Sequence, residues 1–230
     1  MLETKKVTVG KISISFEREG PFMGTKTLFV PIGMDNNNNN NNNEMVYDID
    51  TLAMSILNLA YRNNVEKINI IVNDSQLDEI ILLCGKLREY QTQDEYIPLL
   101  LVCNCYSSYA IALLIPMIDI VAIELKSASI IDEVIKSLHY LYISYSIVNY
   151  YIKIVISDKR EYDSICSLFN KMNEICSYLN NDNKFLGVYI HVEDLLSVQD
   201  YSRLYDIAKE YFEDVRIFSR TPIVFLAQHL

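Results

Sequence analysis

The sequence predicts an α/β fold with a mostly parallel sheet, and three observations carry that reading. Six short apolar runs alternate with segments of helical periodicity between residue 67 and the C-terminus. A further amphipathic helix and two alternating N-terminal segments precede them. The chain has 230 residues, enough for one domain with a substantial core. Alternating βα units imply parallel strands joined by right-handed crossovers.

Taken in order, Val7–Phe16 and Lys26–Ile32 alternate apolar and polar residues and read as an antiparallel hairpin. Ile49, Leu52, Ala53, Ile56, Leu57 and Ala60 repeat with helical spacing, with Glu44–Asp50 as the entry to that helix. Lys67–Val72 is a strand. Leu77, Ile80, Ile81, Cys84 and Leu87 then mark a helix, with Asp74 or Ser75 as its N-cap. Ile97–Cys103 and Ile118–Leu125 are buried strands flanking a short helix, Ser107–Leu114, that Pro116 closes. Ile130 to Leu141 is the next helix face. Tyr151–Ile156, Phe185–His191 and Val215–Phe218 are the last strands, separated by helices over Glu161–Leu179 and Val198–Phe212.

Composition excludes some functions. Half the residues are hydrophobic and 22% are charged, ordinary for a soluble domain. A net charge of −10 argues against nucleic acid as a partner, which needs a basic surface. The most apolar stretch, Ala110 to Ile123, is interrupted by Pro116 and Asp119, so no membrane span is expected. Met1–Gly10 is charged and alternating, unlike a signal peptide. With five cysteines, an odd number, this points to reduced thiols and a cytoplasmic location.

One segment is more specific. Phe16-Glu17-Arg18-Glu19-Gly20-Pro21-Phe22-Met23-Gly24-Thr25 is followed by Phe29-Val30-Pro31-Ile32-Gly33-Met34, and eight asparagines then run from Asn36 to Asn43. The segment resembles the opening of radical S-adenosylmethionine (SAM) enzymes related to 7-carboxy-7-deazaguanine synthase. Their pattern is F-x-x-Q-G-E-G-P-F-x-G-T-x-x-x-F-V-R-L-x-G-C-N, continuing into a three-cysteine cluster loop. The resemblance implies an incomplete (β/α)6 radical-SAM-like partial barrel preceded by an N-terminal β-hairpin. It would span residues 1–230 as a single domain, with residues 36–43 a flexible poly-Asn loop in place of the cluster loop. Active sites in such folds lie at the C-terminal ends of the strands.

Set against that pattern, the reactive parts are missing. Three thiolates hold a four-iron, four-sulfur (4Fe–4S) cluster with one iron left open for SAM. Met34 stands at the first cysteine position, and asparagine-rich sequence replaces the others. Val72-Asn73-Asp74-Ser75-Gln76 replaces the SAM-binding T-G-G-E-P, where glycine lets backbone approach the ligand. Val102-Cys103-Asn104-Cys105 keeps only the asparagine of E-T-N-G, and Glu124-Leu125-Lys126 keeps the character of D-x-K. Ile190-His191-Val192 stands for L-Q-P. Cys84, Cys166 and Cys176 lie on apolar helix faces as small hydrophobes, and Cys103 and Cys105 sit two apart at a strand end.

The resemblance therefore implies no catalytic and no metal-binding residues, no cofactor, and ancestral 4Fe–4S and SAM sites that are lost. A vestigial substrate-binding set remains: Glu19, Gly20, Asn104, Lys126 and His191. Lys126 and Lys153 are strand-borne cations near Glu124, and ion pairing is the common fate of such residues. The leading expectation is a catalytically inactive paralogue serving as a non-catalytic or regulatory subunit, in a homodimer or in a heterodimer with an active paralogue. Two alternatives stand beside it. One is an active radical SAM synthase of 7-deazapurine (queuosine or archaeosine precursor) biosynthesis with an atypical cluster site. The other is a sensor that binds a pterin or deazapurine.

Overall fold

The chain opens with three short antiparallel strands rather than one hairpin, in a computed structural model that describes residues 5–33, 45–72, 76–103, 108–125, 131–143, 148–157, 162–193 and 197–219. The segment expected as one strand over Val7–Phe16 is two, β1 (Lys6–Val9) and β2 (Ser13–Phe16), and both pair antiparallel with β3 (Lys26–Ile32). The break falls at Gly10, whose N–H donates to the Pro31 carbonyl at 2.9 Å. A side chain there would meet the Pro31 ring at 3.1 Å, so the close approach suits glycine.

A second correction concerns the entry to the first helix. Met45–Asp48 forms β4, antiparallel to β1 in the register Lys6↔Asp48, Val7↔Tyr47, Thr8↔Val46, Val9↔Met45. Asp48 ends that strand and caps α1 (Ile49–Arg62), its carboxylate accepting from the Thr51 N–H at 3.1 Å. The six apolar positions expected on α1 are all buried.

From there strand and helix alternate as the periodicity predicts. The order is β5 (Lys67–Val72), α2 (Leu77–Tyr90), β6 (Leu99–Cys103), α3 (Ser108–Leu114), β7 (Ile120–Leu125), α4 (Ile131–Ile143), β8 (Asn149–Ile156), α5 (Tyr162–Asn180), β9 (Phe185–Val192), α6 (Val198–Tyr211) and β10 (Val215–Ser219). A 3-10 turn at Ile115–Met117, carrying Pro116, ends α3. The N-cap of α2 is Gln76, without a side-chain cap bond; its amide oxygen instead accepts from the Thr8 N–H at 3.1 Å. The expected caps Asp74 and Ser75 lie outside the described residues, as do Met34 and Asn36–Asn43.

The ten strands form one sheet in the order β10-β9-β8-β7-β6-β5-β3-β1-β4, with β2 beside β3. The pairing of β3 with β5 and every pairing from β5 to β10 are parallel, and from β5 onward each strand lies beside the next in sequence. No helix among the described residues is long and apolar enough to cross a membrane.

Strand alternation separates two faces. Ile68, Ile70, Leu99, Leu101, Val121, Ile123, Tyr150, Ile152, Val188 and Ile190 join the helices in the main core. Leu100, Val102, Ile120, Ala122, Tyr151 and Tyr189 form a second cluster, which includes no helix residue. That second face carries the polar residues described below.

A bulge keeps β9 in phase. Between the pairs Tyr150↔Phe185 and Ile152↔Val188, β8 advances by two residues and β9 by three. Because side chains alternate, an unbulged β9 would turn Tyr189 and His191 toward the helices. Gly187 absorbs the extra residue at φ +109°, a conformation that favours glycine.

Candidate functional site

The face of the sheet opposite the main core is apolar along its floor and charged toward the strand ends. The chain between β2 and β3 folds across it, tied by the Glu17 N–H to the Thr25 carbonyl and the Gly24 N–H to the Glu17 carbonyl, both at 2.9 Å. Gly20, at φ +80°, sits 3.6 Å from the Tyr151 ring when measured from where a Cβ would lie. Phe22 meets the same ring edge-on at 6.4 Å between centroids. Beneath this crossing lies a cavity of about 240 Å³, lined among others by Glu17, Glu19, Asn69, Glu124, Tyr151, Lys153, Tyr189 and His191. It opens on a wider depression that adds Arg18, Glu193 and Ser219.

Two ion-paired groups organise the polar side. Lys67 donates to Glu17 at 3.1 Å from behind the cavity wall, with its ammonium 4.4 Å from the centre of the Phe22 ring. Burial pushes that ammonium below its usual range, and Glu17 opposes the shift. On the other side Lys153 contacts Glu19 and lies 3.2 Å from Glu124. Burial alone would lower the Lys153 ammonium, but Glu124 and Glu19 outweigh it and hold it above its usual value.

Glu19 is the centre of the second group. Its Oε2 approaches His191 Nδ1 to 2.5 Å, yet neither atom completes a well-aligned hydrogen bond. Burial would raise the Glu19 carboxyl, but His191 and Lys153 together bring it down to about 2, so it is ionised at neutral pH. The hydroxyl of Tyr151 is pushed well above the usual phenol range, first by burial and then by Glu17, Glu19 and Glu124.

Of the residues expected to bind substrate, Glu19, Gly20 and His191 converge on this cavity. Asn104 and Lys126 lie outside the described residues. Glu124 pairs with Lys153, the ion pairing expected of such a lysine. Glu17, Asn69, Tyr151, Tyr189 and Phe218 were not anticipated as site residues. The signal that finds the strand residues Asn69, Tyr151, Tyr189 and Phe218 is parity, since each shares its face with those two positions away; Glu17 lies in the loop after β2 and has no such signal.

The four described cysteines are elsewhere. Cys84 is fully buried on α2 and Cys176 nearly so on α5, and both pack into the helix-side core. Cys103 joins the same core, and Cys166 packs against it. Burial pushes the Cys84 and Cys176 thiols up to about 12.

No protein-family model matches the chain, and no curated protein matches it in sequence. Among solved structures, the crystal structure of QueE from Escherichia coli is similar in fold. The likeness covers 93% of this chain and 94% of that one, with a TM-score of 0.51 and 9% sequence identity. The fold is QueE-like. At so low an identity the likeness speaks for the fold alone, and the cavity described above is a feature of this chain's own residues.

Proposed function

We propose that this protein is a catalytically inactive relative of the radical SAM 7-carboxy-7-deazaguanine synthases. Its sheet is read as their incomplete (β/α)6 barrel, and its role as that of a non-catalytic subunit in a homodimer or in a heterodimer with an active paralogue. QueE is such a synthase, so the fold likeness and the Phe16–Thr25 resemblance point the same way.

One observation carries the loss of chemistry. A cluster at the strand ends requires three thiolates brought together. The four described cysteines all pack on the helix side of the sheet, away from the cavity. Cys105 is the one cysteine left over, and one thiolate does not hold such a cluster. The donor set therefore does not fit a 4Fe–4S group, and no radical step is assigned to this chain.

The test is anaerobic. After incubation with iron and sulfide, the protein is given SAM and dithionite, and 5′-deoxyadenosine is measured. None above a protein-free control is expected; catalytic turnover would establish the active synthase instead. Native mass measurement of complexes drawn from the source cell tests the subunit role, and a monomer without a partner would contradict it.

A further inference from the structure

The crossing between β2 and β3 is fastened to itself by backbone and to the sheet by side chains. Within it, the Gly24 N–H donates to the Glu17 carbonyl at 2.9 Å. The Thr25 N–H and hydroxyl both donate to the Phe22 carbonyl, at 3.1 and 2.8 Å. Those bonds close residues 17–25 into a compact loop that can move as one body. Among the described residues, no backbone–backbone hydrogen bond runs from residues 18–23 to the strands beneath.

Side chains supply the attachment instead, and most of it is ionic. Glu19 contacts Lys153 on β8 and His191 on β9, while Glu17, at the foot of the loop, meets Lys67 on β5 at 3.1 Å. The apolar part is small. Half-buried Phe22 stands edge-on to Tyr151, Gly20 is the one buried residue of the six from 18 to 23, and Arg18 and Met23 face solvent. A segment with so little apolar burial opens at a free energy set by its few contacts, and salt weakens ionic ones. Gly24 supplies the pivot. It sits at φ +92° with nothing within 4 Å of where a Cβ would lie, so rotation there meets no neighbour.

We propose that residues 18–23 form a lid over this face of the sheet, latched shut by Glu19 on Lys153 and His191 and hinged at Gly24. Breaking the Glu19 contacts releases the lid while the helix-side core stays folded. The lid needs no cluster and no second subunit, so it stands or falls apart from the loss of radical chemistry.

The probe is a thiol beneath the lid. Val102 lines the cavity and is 8% exposed, so Val102→Cys in the full chain reports opening through its rate of labelling by N-ethylmaleimide. Native Cys84, fully buried in the helix-side core, reports global unfolding in the same sample by peptide mapping. Labelling of Val102→Cys is expected to rise several-fold between ~0.05 and ~1 M sodium chloride, and by ~10-fold on adding Glu19→Gln, with Cys84 unchanged. If Glu19→Gln fails to fold, the salt series still decides. A rate insensitive to salt, a rate unchanged in folded Glu19→Gln, or a rise matched by Cys84 would each overturn the proposal. So would labelling at low salt as fast as that of Met23→Cys, whose position is 61% exposed.

Discussion

Glu17 and Lys67, fifty positions apart in sequence, meet at 3.1 Å with side chains only 12% and 5% exposed. The pair ties the crossing between β2 and β3 to the start of β5, and so fixes the near wall of the cavity. Removing one partner of a buried pair strands the other charge at a cost of about 3 kcal/mol. Lys67→Met and Glu17→Leu are each expected to lose stability on that scale in urea unfolding. The double variant should recover much of it, because no charge is then left alone. Additive losses would show that the two residues do not depend on each other.

The bulge at Gly187 gives a second expectation. A Cβ there would lie 2.6 Å from the Asp214 carbonyl oxygen, on backbone already at φ +109°. Gly24 has a comparable φ of +92° but nothing within 4 Å. Gly187→Ala should therefore cost clearly more than Gly24→Ala, for which only the conformational penalty of about 1 kcal/mol applies. Denaturant midpoints compare the two directly. Equal losses would remove the steric part of the argument.

Glu19 sets a pH dependence. Its folded value of about 2 lies below the ordinary 4.5, so its contribution to stability is complete above about 4.5 and is lost as pH falls toward 2. Allowing for its partial exposure, the contribution is about 2 kcal/mol. Wild type should lose more stability than Glu19→Gln between pH 4.5 and 2. Parallel curves throughout the acid range would contradict the pairing with His191 and Lys153.

Thiol reactivity follows from placement. Cys84 and Cys176 are buried with thiols raised to about 12, so both should resist iodoacetamide in the native protein at pH 8 and react once unfolded. Peptide mapping by mass spectrometry resolves the sites. Rapid native labelling at either position would mean that the helix layer opens readily.

Much of this fold is legible in the sequence because burial imposes a period. The strand β7, Ile-Val-Ala-Ile-Glu-Leu, is buried at every residue and reads as an apolar run. The helix α1 shows its inner face at helical spacing. β4 is less legible: Met45 and Val46 are exposed, so no buried pattern marks it, and the following helix absorbs it in the reading. Nor does the bulge at Gly187 announce itself, because one glycine inside an apolar run is compatible with a regular strand. At the site, Glu19, Gly20 and His191 are found by motif and strand-end position. Asn69 and Tyr151 are found only by parity once the register is known, and the Glu17–Lys67 contact depends on tertiary pairing that no local pattern encodes.

The central claim is that the thiols of this chain cannot gather around a cluster. Iron and acid-labile sulfide per chain, measured after anaerobic reconstitution and desalting alongside the absorbance near 400 nm, test it most directly. The account predicts a colourless protein with iron far below one cluster per chain. A brown protein retaining about four irons and four sulfides per chain would contradict it.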